Sequence, residues 1–227
     1  GMLYDAILFD MDGTLVASLS FHIQSFQRFL SQQRLALAPC QVRPLMGMGI
    51  QDIFAHFLPD IPADGAFLLL RQFYASQVQD LLDGLSAIPG AAAVLGQLRA
   101  QGIPLGLVTN TEHDLANRML AATGLDLFDE VCGGTDRGAP KAERCRLVLG
   151  AFSVTADRAL YVGDSRGDAA MAAQEGMDCC LIDNAYAWED NHVAAKGKIQ
   201  TYVLHDIIEI ISILEGEPHH EGRIGSY

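Results

Sequence analysis

Six short apolar runs constrain this chain more than any other feature, at residues 6–9, 104–108, 130–132, 159–162, 179–182 and 201–204. Each is too short for a helix and lacks a 3.6-residue period, which is the pattern of a strand covered on both faces. Between them, residues 91–101, 114–123, 142–152 and 168–175 carry helical apolar spacing. Strand and helix alternating in this way predict an α/β fold, a Rossmann-like parallel sheet with helices on both faces.

The ends of these runs are polar in a consistent way. Asp10-Met11-Asp12-Gly13-Thr14 follows the first, Thr109-Asn110-Thr111 the second, Gly163 to Asp168 the fourth, and Asp183-Asn184 the fifth. In open α/β sheets ligands bind beyond the carboxyl ends of the strands, so these clusters are expected to converge on one crevice. Any one of them is explained by an ordinary loop, because Asp and Gly are common turn residues. Together they predict a site. Asp10 and Asp12 repel each other unless a cation sits between them or one holds a proton, and either arrangement is chemically useful. Gly133-Gly134 has no GxGxxG context and reads as a turn.

Residues 16–88 leave this alternation. Helical patterns at 19–33, 39–45, 50–57 and 63–82 surround the break Met46-Gly47-Met48-Gly49. The expected organisation is an α/β core of residues 1–15 and 89–227 with a helical cap domain, 16–88, inserted after the first acidic cluster and placed over the crevice.

Composition narrows the function classes. Half of the 227 residues are hydrophobic, enough to bury a full core. No apolar run approaches the roughly 20 residues that span a bilayer, and no charged stretch leads into an apolar one at the start. The expectation is a soluble, cytoplasmic protein with no membrane partner. A formal charge of −13 argues against nucleic acid, whose binding rests on neutralising phosphates with Lys and Arg. The five cysteines show no CxxC spacing and read as buried free thiols. The polar, Gly-containing stretch 215–227 reads as a loose tail, and nothing here distinguishes monomer from dimer.

Taken together, these residues resemble the haloacid dehalogenase-like hydrolase superfamily, in the capped branch near phosphoglycolate phosphatases and β-phosphoglucomutases. Asp10-Met11-Asp12-Gly13-Thr14 matches the first motif, Thr109 the second, Lys141 the third, and Gly163-Asp164 with Asp168 the fourth. The family usually carries Lys followed by Pro, whereas here Pro140 precedes Lys141.

The resemblance implies a Mg²⁺-dependent phosphatase acting on a small phosphorylated metabolite. Phosphate-monoester hydrolysis needs a barrier reduction of about 20 kcal/mol or more, which no single device supplies. Asp10 as nucleophile divides the displacement into two steps through an aspartyl-phosphate. Asp12 would protonate the leaving oxygen and then activate water. Asp10, the Asp12 backbone carbonyl and Asp164 are the implied Mg²⁺ ligands, with Asp168 supporting them from behind. Thr109, Asn110 and Lys141 would bind the phosphoryl group. Arg43, Met46, Gly47, Met48, Gly49 and His22 are the candidates for recognising the leaving group. Ala17 replaces the acidic residue usual soon after the first motif, and Asp183 to Asp190 departs from the phosphoglycolate phosphatase pattern, which leaves the metabolite open. A sugar phosphomutase would share every core motif. A dehalogenase needs neither Asp12 nor Mg²⁺, and a non-catalytic binding module commonly loses one of the two aspartates kept here.

Overall fold

The computed structural model describes residues 2–47, 50–134, 139–189, 197–216 and 223–226. Two compact units account for the chain, one of Gly1–Ala17 with Ser86–Tyr227, the other of Ser18–Leu85.

The first unit opens with β1 (Ala6–Phe9). The second unit holds α1 (Leu19–Gln32), α2 (Pro39–Val42), α3 (Ile50–Phe57) and α4 (Ala63–Gly84). The first then resumes with α5 (Ala91–Ala100), β2 (Leu105–Glu112), α6 (His113–Thr123), β3 (Glu130–Gly134) and α7 (Lys141–Phe152). It continues through β4 (Ala159–Gly163), α8 (Arg166–Glu175), β5 (Asp178–Ile182), β6 (Gly197–Leu204), α9 (Ile210–Leu214) and β7 (Arg223–Ser226).

The strands form one sheet in the order β3-β2-β1-β4-β5-β6-β7. All neighbouring pairs are parallel except β6 with β7. Strand order therefore runs outward in both directions from β1, which makes β1 the point where the winding reverses. Such a reversal opens a crevice at the carboxyl ends of the strands. Every residue of β1 is fully buried. Because successive side chains point to opposite faces, both faces of the sheet are covered here. On one of them Leu8, Val108, Tyr161, Cys179 and Leu181 share a core with Cys145, Val148 and Leu149 of α7 and Ala169 and Ala172 of α8. Gly106 of β2 permits that contact: a Cβ there would lie 2.6 Å from Val148 Cγ1 and 2.7 Å from Leu8 Cδ2.

The helical unit has its own core. Phe29 of α1 lies at its centre, with ring centroids 6.0 Å from Phe26, 5.9 Å from Phe54 of α3 and 5.5 Å from Phe73 of α4. Leu30, Val42, Leu45, Ile53 and Leu70 fill the remainder. At the junction, in the first unit, Ala17 N–H donates to Ser86 O at 3.0 Å and Ile88 N–H to Leu15 O at 2.8 Å, so the outgoing and returning segments pair.

Several expectations are corrected. The Thr109-Asn110-Thr111 cluster lies inside β2, not beyond it, and the β2–β3 register slips between Val108 and Glu112. Gly133-Gly134 closes β3; a Cβ on Gly133 would lie 2.4 Å from His113 Cα, and one on Gly134 2.3 Å from Asn110 O, so the pair serves close backbone approach. The α-helix expected at 39–45 ends at Val42 and continues as a 3₁₀ turn, Arg43–Gly47. Residues 223–226 of the supposed tail pair with β6. Cys40 is exposed and Cys132 half-buried, while Cys145, Cys179 and Cys180 are buried. Among the described residues no helix is long and apolar enough to cross a membrane.

Gly106→Ala is expected to overpack the β2–α7 contact and lower the unfolding free energy by about 1–3 kcal/mol in urea denaturation; an unchanged midpoint and slope would show that the helix yields there.

Candidate active site

The turn that follows β1 is built by its own backbone. Asp10 N–H still donates to Val162 O of β4 at 2.8 Å, and the Met11 carbonyl then accepts from the amides of Thr14, Leu15 and Val16 at 3.2, 2.9 and 3.1 Å. Gly13 has a φ of +77°. A Cβ on it would sit 2.3 Å from Asp164 Oδ2 and 2.5 Å from the Trp188 ring, so both conformation and space require glycine.

This turn carries Asp10, only 8% exposed, into contact with the ends of β4 and α7. Lys141, the first residue of α7, donates through Nζ to Asp10 Oδ1 at 3.0 Å and to Asp168 Oδ1 at 2.9 Å. Its ammonium also lies 5.6 Å from the centroid of the buried Tyr161 ring, within reach of a cation–π attraction. Asp168 sits in the first turn of α8, where its backbone N–H donates to Ser165 Oγ at 3.0 Å, a helix cap that fixes the start of that helix. Asp164, at the end of β4, accepts at Oδ2 from Trp188 N–H at 2.7 Å and at Oδ1 from Thr14 Oγ1 at 3.5 Å.

Asp10, Asp164 and Asp168 each offer a carboxylate oxygen, all within 4.8 Å of one another. Burial and the neighbouring Asp10 charge push the Asp164 carboxyl well above its ordinary range. Burial, then Asp10, raise Asp168 to about 6 against the opposing pull of Lys141. Burial lowers Lys141, but the charges of Asp10 and Asp168 more than reverse that, leaving it raised. Two of these three acids, Asp10 and Asp168, therefore share the Lys141 ammonium. An all-oxygen, carboxylate-rich set with this excess of acid suits a hard divalent cation such as Mg²⁺, which takes one or two carboxylates and completes its shell with water or phosphate oxygens.

The neighbouring strand supplies hydroxyls. Thr109 is 1% exposed, and its Oγ1 accepts from Thr111 N–H at 3.2 Å. Thr111 Oγ1 donates to Asp12 Oδ2 at 2.7 Å, tying the half-buried Asp12 to β2. Asn110 is exposed, with its side-chain oxygen accepting from Arg144.

The structure thus gathers Asp10, Asp12, Thr109, Asn110, Lys141, Asp164 and Asp168 in the first unit. The remaining predicted residues belong to the helical unit. Exposed Arg43 opens the 3₁₀ turn, half-buried Met46 lies within it and Gly47 ends it; Met48 and Gly49 fall outside the described residues. His22 lies on α1 with its ring 5.8 Å from Phe21 and 5.9 Å from Tyr74. Sequence reading placed Thr111 and Ser165 only within strand-end clusters and did not single out Tyr161, Trp188 or Arg144. Arg144 carried a readable signal: with Cys145, Val148 and Leu149 it falls on the buried stripe of α7, where a charged residue is out of place.

A sequence profile described as haloacid dehalogenase-like hydrolase matches residues 7–182. The chain belongs to this family. Among curated relatives, a phosphoglycolate phosphatase of Rhodospirillum rubrum is 34% identical over 87% of this chain and 86% of its own. A plasmid-borne phosphoglycolate phosphatase of Cupriavidus necator is 32% identical over 80% and 82%. Solved structures share the fold: a haloacid dehalogenase-like hydrolase of Streptococcus pneumoniae superposes with a TM-score of 0.77 at 20% identity, covering 93% of this chain and 98% of that one. A Deinococcus radiodurans hydrolase of the family, solved with bound phosphate and sodium, gives 0.69 at 23% identity, covering 94% and 96%.

Removing the shared ammonium leaves two buried carboxylates without their cation. Lys141→Met is expected to lower the unfolding free energy of the metal-free protein by about 3–5 kcal/mol at neutral pH, read by urea denaturation; a loss under about 1 kcal/mol would show that the acids are balanced by something else.

Proposed function

We propose that this protein is a Mg²⁺-dependent phosphatase that hydrolyses a small phosphorylated metabolite through an aspartyl-phosphate on Asp10. The observation that carries the reading is the Lys141 ammonium held between Asp10 and Asp168, 3.0 and 2.9 Å away, at the carboxyl end of the strand where the sheet's winding reverses. An ammonium so placed favours the ionised, nucleophilic form of Asp10 and opposes the charge of an arriving phosphoryl group.

Each neighbouring residue has a distinct task. Asp12 stands two residues on, held through one oxygen by Thr111, and in this reading gives a proton to the leaving oxygen and later removes one from the attacking water. The Thr109 hydroxyl and the amides around Asn110 bind the phosphoryl oxygens. Mg²⁺, held by Asp10, the Asp12 carbonyl and Asp164 with Asp168 behind them, would supply charge neutralisation between the nucleophile and the incoming phosphoryl group. Asp164 is already oriented for this by Trp188 N–H.

The helical unit is read as a cap that selects the leaving group, with Arg43, the 46–49 turn and His22 as its candidate contacts. Arg43 would supply positive charge that an acidic chain must place deliberately if its substrate bears a second anionic group. The names of the curated relatives make 2-phosphoglycolate the first metabolite to test. A cytoplasmic setting fits such a substrate.

Phosphate release from p-nitrophenyl phosphate and a panel of phosphorylated metabolites should require Mg²⁺ and stop with excess EDTA. Asp10→Asn should lose about a thousandfold or more in kcat while remaining folded, and Asp12→Ala should lose most turnover while retaining affinity for inorganic phosphate. Activity that persists in EDTA or in Asp10→Asn would remove the mechanism. Arg43→Ala should lower kcat/KM for the preferred metabolite at least tenfold more than for p-nitrophenyl phosphate, whose aryl group needs little recognition; equal losses would place recognition elsewhere.

A further inference from the structure

One charged side chain near the site has no part in the reaction just described. Arg144 is 4% exposed, and its guanidinium is surrounded by neutral oxygens. Nε donates to Ala139 O at 3.2 Å and Nη1 to Cys132 O at 3.4 Å. Nη1 also donates to Thr109 O, and Nη2 to the Asn110 side-chain oxygen. Among the described residues no carboxylate pairs with it. A buried cation with only carbonyl partners is expensive to keep, since desolvation is large and no counter-charge offsets it. An apolar residue would complete the α7 stripe more simply.

The acceptors show what the charge accomplishes. They come from Ala139, two residues before α7, from Cys132 of β3, and from Thr109 and Asn110, where the β2–β3 register slips. Backbone freed from the ladder by that slip has to be held by other groups. Gly134 packs against the same corner, leaving no room for a Cβ against Asn110 O. The corner is thus contacted by both a glycine and a guanidinium.

We infer that Arg144 is a positioning residue that locks Thr109 and Asn110 into their phosphoryl-binding arrangement and keeps a buried positive charge behind them, a role that rests on the phosphatase reading above. With the guanidinium in place, the Asn110 side-chain oxygen and the Thr109 carbonyl point away from an incoming anion, toward α7. Without it, two electronegative oxygens are released beside the place where phosphate must bind. Its field then assists an anion that no direct contact from Arg144 need touch.

The test uses the full chain with p-nitrophenyl phosphate as substrate, inorganic phosphate as competitive inhibitor and saturating Mg²⁺. Arg144→Lys and Arg144→Gln are each made alone and together with Thr109→Ala, with thermal unfolding followed in parallel. The expected single-variant result is a kcat/KM at least tenfold lower and an inhibition constant for phosphate at least fivefold higher, with half-saturation by Mg²⁺ unchanged within twofold. In the Thr109→Ala background the same substitution should lower kcat/KM less than threefold, because residues acting through one another are not additive. Asn110→Ala removes one acceptor while sparing the guanidinium, and should raise the phosphate inhibition constant at least threefold; it decides the matter if the Arg144 variants do not fold. A lowered unfolding temperature with unchanged phosphate inhibition, or full additivity with Thr109→Ala, would reduce Arg144 to a structural prop and overturn the inference alone. A wild-type protein that releases no phosphate from any substrate with Mg²⁺ would overturn the phosphatase reading, and this role with it.

Discussion

A single ammonium balancing buried acids is the constraint around which the catalytic unit is arranged. Lys141 reaches Asp10 and Asp168 from the first residue of α7, and the three groups come from elements separated by more than a hundred residues of chain at their widest, as the Asp10–Lys141 bond shows. Such a bridge forms only if the end of β1 and the starts of α7 and α8 meet at one place. The central position of β1 in the sheet, the Ser165 cap on α8 and the shared core of α7 and α8 are the means by which they do. Among the described residues the clustered acids outnumber the ammonium beside them, an imbalance that a further cation or a proton offsets.

Close approach is the second recurring device. Gly13, Gly106, Gly133 and Gly134 each stand where a Cβ would collide with a neighbouring side chain or backbone. At Gly13 the neighbour is an acid of the site; at Gly134 it is the corner that presents Thr109 and Asn110. The same physical need, room for one backbone against another group, therefore shapes both the acidic cluster and the β2 corner beside it. Residues 183–189 contribute through hydrogen bonds instead, the Trp188 amide donating to Asp164 and the Glu189 carboxylate accepting from Arg166 N–H at 3.0 Å; Asp190 lies outside the described residues.

Much of this was legible in the sequence, because strand ends announce themselves where apolar runs meet Asp, Thr and Gly. The alternation of runs gave the parallel sheet, and Asp10, Asp164 and Asp168 were visible as acids at strand ends before they were seen to lie within 4.8 Å. What escaped was set by long-range pairing. The Thr109-Asn110-Thr111 cluster has the composition of a turn, yet β3 pairs with β2 on both sides of it, at Val108 and Glu112, and so carries it within the strand. The partner of Thr111 is not legible because its hydroxyl meets Asp12 across 99 positions of sequence. Residues 223–226 read as a tail since Gly and polar residues give no strand period; their order comes from an edge of β6 that only the assembled sheet provides.

The pairing of the two strands of chain at the junction has a consequence for how such a protein diversifies. Ala17 and Ser86 are hydrogen-bonded, and Val16 bridges Ala87, so the segment 18–85 departs and returns through one closed neck. The sheet and its acids belong wholly to the first unit, while the helical unit closes its own core around Phe29. Lineages can then lengthen, shorten or replace the inserted segment without shifting the register of a single catalytic strand. A change in the insertion is thereby uncoupled from the strands that carry the acids, and the neck is the part on which that independence rests.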